Sequence, residues 1–107
     1  MSLHVEKVAL EFVAALRPLM PRIRCSNRSL ADQLTRAADS IVLNICEAAY
    51  SDAGNRRARF HTAAGSANES RGALRLAHAW GHLSAEQLRH ADALLDRVLA
   101  MLWKLSR

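Results

Sequence analysis

Two histidines in this 107-residue sequence have a spacing that could bind a metal ion. His78 and His82 are four residues apart, which on a helix can place two imidazoles around one metal. Gly81 lies between them and is expected to end the helix, and no nearby acid or cysteine completes a ligand set. We therefore predict neither a metal site nor a cofactor.

Ser40, Asn44 and Glu47 raise the question of nucleophilic catalysis, because Ser40 and Asn44 lie one helical turn apart. A serine nucleophile needs an adjacent base that is itself oriented by a third group. No histidine is close in sequence, and only His61 could approach from a neighbouring helix. We expect these side chains to form a structural polar network and the protein not to be an enzyme.

The arginines point instead to phosphate binding. The formal net charge is +5, which favours an anionic partner such as nucleic acid or a membrane surface, although a basic protein need not have one. The predicted nucleic-acid contacts are Arg22, Arg24, Arg28, Arg56, Arg57, Arg59, Arg71 and Arg75. Arg71 and Arg75 share a helix face with His78, which could equally be an ordinary exposed face. The other arginines could be solvated charge runs.

A row of polar residues runs along the segment 33–48, spaced by three or four as on one helix face. This segment and the next predicted helix should form an antiparallel hairpin that turns near residues 52 and 53. That register places Arg36 opposite Glu69 as an ion pair, and Ser40 opposite Ser66. Asn44 should face His61, and Glu47 should meet residues 57–59. The predicted structural polar network is Gln33, Arg36, Ser40, Asn44, Glu47, Ser66 and Glu69.

Four amphipathic helices are expected to position these residues. The first covers about residues 3–20, with Pro18 and Pro21 ending it and residues 21–27 forming a loop. The second starts at Ser29 with a capping-box pattern, and the third covers residues 56–80. Ser84 caps the fourth, whose apolar residues repeat as a heptad seam. The fold class is all-α, a single antiparallel up-down-up-down four-helix bundle over residues 1–107.

The cellular setting follows from the cysteines and the hydropathy pattern. Cys25 and Cys46 show no metal-binding or disulfide framework, which favours a reducing compartment. No apolar run approaches the roughly 18 residues of a membrane span, and no signal peptide is recognisable. We expect a cytoplasmic protein with no membrane partner.

The polar row and the following helix together resemble a known family. The matching residues are Gln33, Arg36, Ala37, Ser40, Ile41, Asn44, Ile45 and Glu47, followed by Phe60, Ala64, Gly65, Ser66 and Glu69. This pattern is similar to the four-helix-bundle proteins encoded by intervening sequences in 23S ribosomal RNA genes, which are related to the accessory proteins of diversity-generating retroelements. Val42 and Ala48 stand where the family usually has proline and glycine, so the second helix is expected to run longer.

The resemblance implies a ring-like homopentamer that binds RNA or DNA and partners a reverse transcriptase. In such a ring each arginine cluster would be repeated around a rim, which strengthens weak phosphate contacts. The function we expect is therefore non-enzymatic nucleic-acid binding, or an accessory role to a nucleic-acid enzyme. The alternative is a protein-interaction or scaffolding bundle whose working surface is exposed and apolar.

Overall fold

The computed structural model describes residues 4–107 and, over that range, contains five α-helices and no strand. The helices are α1 (His4–Leu16), α2 (Met20–Ser26), α3 (Arg28–Ala48), α4 (Ala53–Ala79) and α5 (Ala85–Leu105). The all-α prediction is confirmed, but the helix count of four is wrong because the segment 21–27, predicted as a loop, is mostly helical. Leu3, which was included in the first predicted helix, lies outside the described residues.

The short helix α2 explains the difference. Pro21 lies in its first turn, where a missing N–H leaves no hydrogen bond unmade, so this proline begins a helix. Ile23 is fully buried and anchors α2 to the core. Asn27 separates α2 from α3, and its side chain accepts a hydrogen bond from Leu30 N at 3.0 Å. Asn27 rather than Ser29 therefore caps α3, and the predicted Ser29 capping box is wrong.

The apolar faces of the predicted amphipathic helices form the core. All six stripe positions of α3 are buried: Leu30, Leu34, Ala37, Ile41, Ile45 and Ala48. In α5 the inner seam positions are buried, whereas Leu88 is half-buried and Leu105 is exposed at the helix end. Ser84 forms the predicted capping box with Gln87. Among residues 4–107, no helix has both the length and the apolar character needed to cross a bilayer.

Helix α4 has a less apolar inner face than its neighbours. Its buried positions are mostly alanine and serine, with Phe60 and Leu74 as the large residues. Small side chains allow neighbouring helices to approach closely, and α3 and α4 form the most extensive helix pair in the structure. α3 ends at Ala48, so it runs through Val42 without interruption.

The helix pairs place the connections at two opposite ends of the molecule. α3 packs on α1 and α4, and α5 packs on α1 and α4. We use "turn end" for the end with the α3–α4 connection, residues 49–52. We use "α2 end" for the end with α2, the start of α3 and the α4–α5 connection, residues 80–84. A hydrogen bond of 3.4 Å from Arg22 Nη2 to Gly81 O joins α2 to the α4–α5 connection.

Candidate nucleic-acid interface

A chain of polar side chains links α3 to α4. Ser66 Oγ donates to Ser40 Oγ at 2.8 Å, and Asn44 Nδ2 lies 3.1 Å from the same hydroxyl. Arg59 Nη1 donates to Asn44 Oδ1 at 3.4 Å, and Arg59 Nη2 lies 2.8 Å from Glu47 Oε2. Ser40 contacts Ser66, whereas Glu47, later in α3, contacts Arg59, earlier in α4. The hairpin is therefore antiparallel. Its register agrees with the prediction for Ser40 and Glu47, but Arg59 rather than His61 reaches Asn44.

Three members of the predicted network do not join this chain. Gln33, Arg36 and Glu69 are exposed, and the part of the chain that the structure describes shows no hydrogen bond or ion pair between Arg36 and Glu69. The predicted Arg36–Glu69 ion pair is therefore wrong. The register of the hairpin determines which residues of α3 and α4 lie opposite each other. It does not determine which way a long side chain points. An exposed ion pair gains too little energy to fix that direction against water.

At the α2 end, three predicted arginines differ in their contacts. Arg24 Nη1 lies 2.6 Å from Asp32 Oδ1, and both side chains are partly exposed. This hydrogen bond and the Arg24 charge hold the pKa of Asp32 below its usual value, with Arg28 adding a smaller effect. Arg22 is exposed and makes the 3.4 Å contact to Gly81 O. Arg28 is exposed and makes no hydrogen bond or ion pair within residues 4–107.

At the turn end, the arginines are largely engaged within the protein. Arg56 Nε donates to Ala48 O at 3.2 Å, which places a cation at the C-terminus of α3, where the helix dipole favours one. Arg59 binds Glu47 and Asn44, as described above. Arg57 alone of the three has no such contact in the described structure. All three arginines lie within the first two turns of α4, after the N-cap residue Asp52.

Arg71 holds α4 against α5. Its Nε donates to Asp92 Oδ1 at 3.2 Å, its Nη2 contacts the Asp96 carboxylate, and only 19% of its side chain is exposed. Arg75 is 63% exposed and lies 3.9 Å from Asp92. His78 Nδ1 lies 3.0 Å from Leu83 O, so its ring is tied to the α4–α5 connection. The predicted strip thus divides into Arg71, which is engaged internally, and Arg75, which remains available to an external anion.

The residues considered for catalysis and metal binding have the following surroundings. Ser40 is contacted by Ser66 and Asn44, and His61 is exposed. Among residues 4–107, no group of three or more histidine, cysteine or acidic side chains could hold a metal ion. The polar chain between α3 and α4 therefore has the contacts of a structural element.

Cys46 makes a contact that the sequence did not indicate. Its Sγ lies 2.7 Å from Glu6 Oε1, which joins α3 to α1 near the turn end. The hydrogen bond to the carboxylate, together with burial and the negative charge, raises the pKa of Cys46 to about 11. The residues between Glu6 and Cys46 include α2 and two connections, so no local spacing rule could predict their contact. Cys25 is free and exposed at the α2 end.

Several large apolar side chains remain exposed. Leu10 and Leu43 are 50% and 61% exposed and border shallow apolar grooves between α1 and α3. Leu43 lies off the buried stripe of α3, which is the signal that could have identified it. Trp80 and Trp103 are 65% and 68% exposed at opposite ends of the molecule. Trp103 lies beside the buried seam of α5 and not in it, which accounts for its exposure.

Comparisons with known proteins identify the group to which this fold is related. The family model described as 23S rRNA-intervening sequence protein matches residues 1–104. A crystal structure of a protein of unknown function from the S23 ribosomal protein family of Bacteroides thetaiotaomicron is 21% identical. It superposes with a TM-score of 0.88 over 96% of this chain and 98% of that chain. At this identity the likeness concerns the fold alone. The comparison with curated proteins finds no match.

Proposed function

We propose that this chain, which belongs to the family of 23S rRNA-intervening sequence proteins, is a non-enzymatic, basic helical bundle that binds nucleic acid. In this proposal the four longer helices have up-down-up-down order, and the short α2 is an insertion that presents arginines. The protein works in the cytoplasm and acts on RNA or DNA through their phosphates. The family description refers to 23S rRNA, so structured RNA is the first ligand to test.

The observation that supports this proposal is the arginine surface at the α2 end. The segment 17–28 contains four arginines and no acidic residue. Of these, Arg24 is ion-paired, whereas Arg22 and Arg28 are exposed and make no ion pair within the described residues. Arg28 can therefore bind phosphate without first breaking an internal contact, and Arg22 would lose only the 3.4 Å contact to Gly81 O. At the turn end, Arg57 is likewise exposed and without an ion pair within the described residues, and Arg75 on α4 is 63% exposed with one long contact to Asp92.

A homopentamer would repeat the arginines of the α2 end around one rim of a ring. A polyanion that touches several subunits at once gains from effective concentration, so weak single contacts add up to useful affinity. The exposed Leu10 and Leu43 offer apolar surface for contacts between subunits. Light scattering of the purified protein tests this part, since a monomer at all concentrations would exclude the ring.

The accessory role extends the proposal to a protein partner. By resemblance to the bundles of diversity-generating retroelements, the partner would be a reverse transcriptase. The nucleic acid bound at the arginines would then be its template or product. Co-purification of the two expressed proteins, with and without nuclease treatment, separates a direct protein contact from one bridged by nucleic acid.

The central experiment is a binding titration on structured RNA at several salt concentrations. Phosphate contacts release counterions, so log affinity should fall linearly with log salt by about 0.9 per contact. With three or more contacts the affinity should fall by roughly 40-fold between 50 and 200 mM salt. Binding that is insensitive to salt, or absent at micromolar protein, contradicts the proposal.

A second candidate function is protein interaction or scaffolding without nucleic acid. The specific observation in its favour is the exposed pair Leu10 and Leu43 beside apolar grooves. Leu43→Asp should then abolish assembly, whereas Arg28→Glu should leave it intact. If Leu43→Asp removes every measurable interaction and RNA binding is never detected, scaffolding becomes the better account.

A further inference from the structure

Trp80 lies at a rigid corner of the molecule. It is the C-cap residue of α4, and the following Gly81 has φ +83°, the left-handed conformation that favours glycine. Gly81 N donates to His78 O at 2.9 Å, and His82 N donates to Ala77 O at 2.8 Å. These two bonds form a Schellman motif, which fixes the backbone on both sides of the tryptophan.

The connection after Trp80 is also anchored to the core. Leu83 is only 4% exposed, and its carbonyl oxygen lies 3.0 Å from His78 Nδ1. An indole that is 65% exposed is therefore held on an ordered support rather than on a free loop. A rigid aromatic surface loses little conformational entropy when a planar ligand stacks on it.

A guanidinium group contacts the backbone next to this tryptophan. Arg22 Nη2 donates to the carbonyl oxygen of Gly81, the residue next to Trp80, at 3.4 Å. Arg22 belongs to the acid-free segment 17–28, and the connection 80–84 contains no acidic residue either. An exposed aromatic face next to an exposed cation is the combination that binds single-stranded nucleic acid, with a base on the ring and a phosphate on the cation.

We propose that the corner formed by Trp80 and Arg22 binds an unpaired nucleotide of single-stranded RNA or DNA. The base stacks on the Trp80 indole, and a neighbouring phosphate contacts the Arg22 guanidinium. This inference rests on the proposed nucleic-acid function and deepens it, since it specifies unpaired bases rather than a duplex. Bases in a duplex are stacked on each other and do not offer a free face.

Trp103 provides an internal control. It is 68% exposed, almost the same as Trp80, but lies in the last turns of α5 near the turn end. The groove beside it is lined by residues of α4 and α5 that include His61 and Asn68 but no arginine. The two tryptophans thus differ in their cations: Arg22 contacts the backbone next to Trp80, whereas the exposed Lys104 follows Trp103 in the sequence.

The experiment uses two single-tryptophan variants of the full chain. Trp103→Phe leaves Trp80 as the fluorophore, and Trp80→Phe leaves Trp103. Each variant is titrated with a 12-nucleotide poly-U RNA, the matching poly-dT DNA, and a duplex of the same length at low salt. We expect both single strands to quench Trp80 strongly and Trp103 weakly, and the duplex to quench neither. Quenching by only one of the two single strands would identify RNA or DNA as the ligand.

Affinity measurements on further variants complete the test. Trp80→Ala should weaken single-strand binding about tenfold, within the range for loss of one stacked base, and leave duplex binding unchanged. Arg22→Gln should reduce the salt slope by about one phosphate contact. Both residues are exposed, and circular dichroism with thermal melting checks that each variant folds.

The outcomes separate this inference from the proposed function. Salt-dependent binding with equal quenching of both tryptophans, or with equal loss of single-strand and duplex affinity, overturns the Trp80 site and leaves nucleic-acid binding intact. Trp80 emission that shifts to shorter wavelength with protein concentration alone shows that a second copy covers it, which also overturns the site. No binding to any nucleic acid overturns both.

Discussion

At the α2 end of the molecule, Arg28 makes no ion pair or hydrogen bond within residues 4–107, and Arg22 makes one long contact to Gly81 O. At the turn end, Arg56 binds a helix-terminal carbonyl and Arg59 binds Glu47, which leaves Arg57 as the one without such a contact. Each end has three predicted arginines, and at each end two of them make a contact within the protein, since Arg24 at the α2 end is ion-paired to Asp32. The two ends differ in what these contacts join, because both contacts at the turn end hold α3 against α4. The number of arginines in a cluster is therefore a poor guide to how many can bind an external anion.

The largest effect should come from reversing charge at the α2 end. In Arg22→Glu with Arg28→Glu, two phosphate contacts at about 1.4 kcal/mol each are lost, so affinity for RNA should fall about 100-fold at low salt. The free energy of unfolding should stay within about 0.5 kcal/mol of the parent value.

The matched control is Arg36→Glu with Arg97→Glu, which changes the net charge equally at exposed positions on α3 and α5. We expect it to weaken RNA binding several-fold at most, through the general field of the protein. Equal losses in the two double variants, measured by filter binding, would show that net charge alone governs binding.

The next effect concerns the interior of the hairpin that leads to the turn end. Ser66→Ala removes the hydrogen bond to Ser40, and leaves a half-buried hydroxyl with one partner fewer, so the free energy of unfolding should fall by about 1 kcal/mol. Ser70→Ala is the control because Ser70 is buried but donates only to Ser66 O within its own helix. If urea denaturation shows that Ser70→Ala lowers the free energy of unfolding more than Ser66→Ala does, the hydrogen bond from Ser66 to Ser40 does not stabilise the hairpin.

The sequence predicted features that depend on local spacing. The capping box of Ser84 and Gln87 and the buried stripe of α3 follow from short-range rules, and both are present. The contact of Ser40 with Ser66 follows from a short connection between two helices, which fixes their register. The helix α2 was missed because the same proline can end a helix or occupy its first turn, and the buried Ile23 that decides between them is a tertiary feature.

Local spacing does not predict the orientation of long side chains or the packing of helices that are far apart in the sequence. Arg36 and Glu69 lie at matching levels of the hairpin but both remain exposed, because water competes with a surface ion pair. The contact of Cys46 with Glu6 depends on how α1 packs on α3 across the whole of α2. Which arginines are left without an internal contact depends on such tertiary contacts, so the sequence alone could not assign them.

A smaller effect should distinguish two arginines within the turn end. Arg59→Ala removes the contacts to Glu47 and Asn44, and because this pair is partly exposed, the loss of stability should be about 0.5 kcal/mol, or 2–4 °C in Tm. Arg57→Ala should leave Tm unchanged and lower RNA affinity a few-fold. The reverse pattern in thermal melting and RNA binding would mean that Arg59 is the external contact and Arg57 the internal one.

The smallest effect concerns the two thiols, which also differ between the ends. The ordinary pKa of Cys46 is 9.0, and the Glu6 carboxylate and burial raise it to about 11, so the folded protein holds the thiol proton more tightly than the unfolded chain does. The stability from this contact is therefore complete below pH 9 and is lost as pH rises towards 11. In the parent protein, Tm should decline more steeply over that window than in Cys46→Ala.

The two thiols should also differ in their reactivity. Iodoacetamide at pH 8 should label Cys25 first, because Cys25 is exposed, whereas Cys46 is half-buried and contacts the Glu6 carboxylate. Equal labelling rates, or identical pH slopes in the two proteins, would show that Cys46 does not donate its proton to Glu6 in solution.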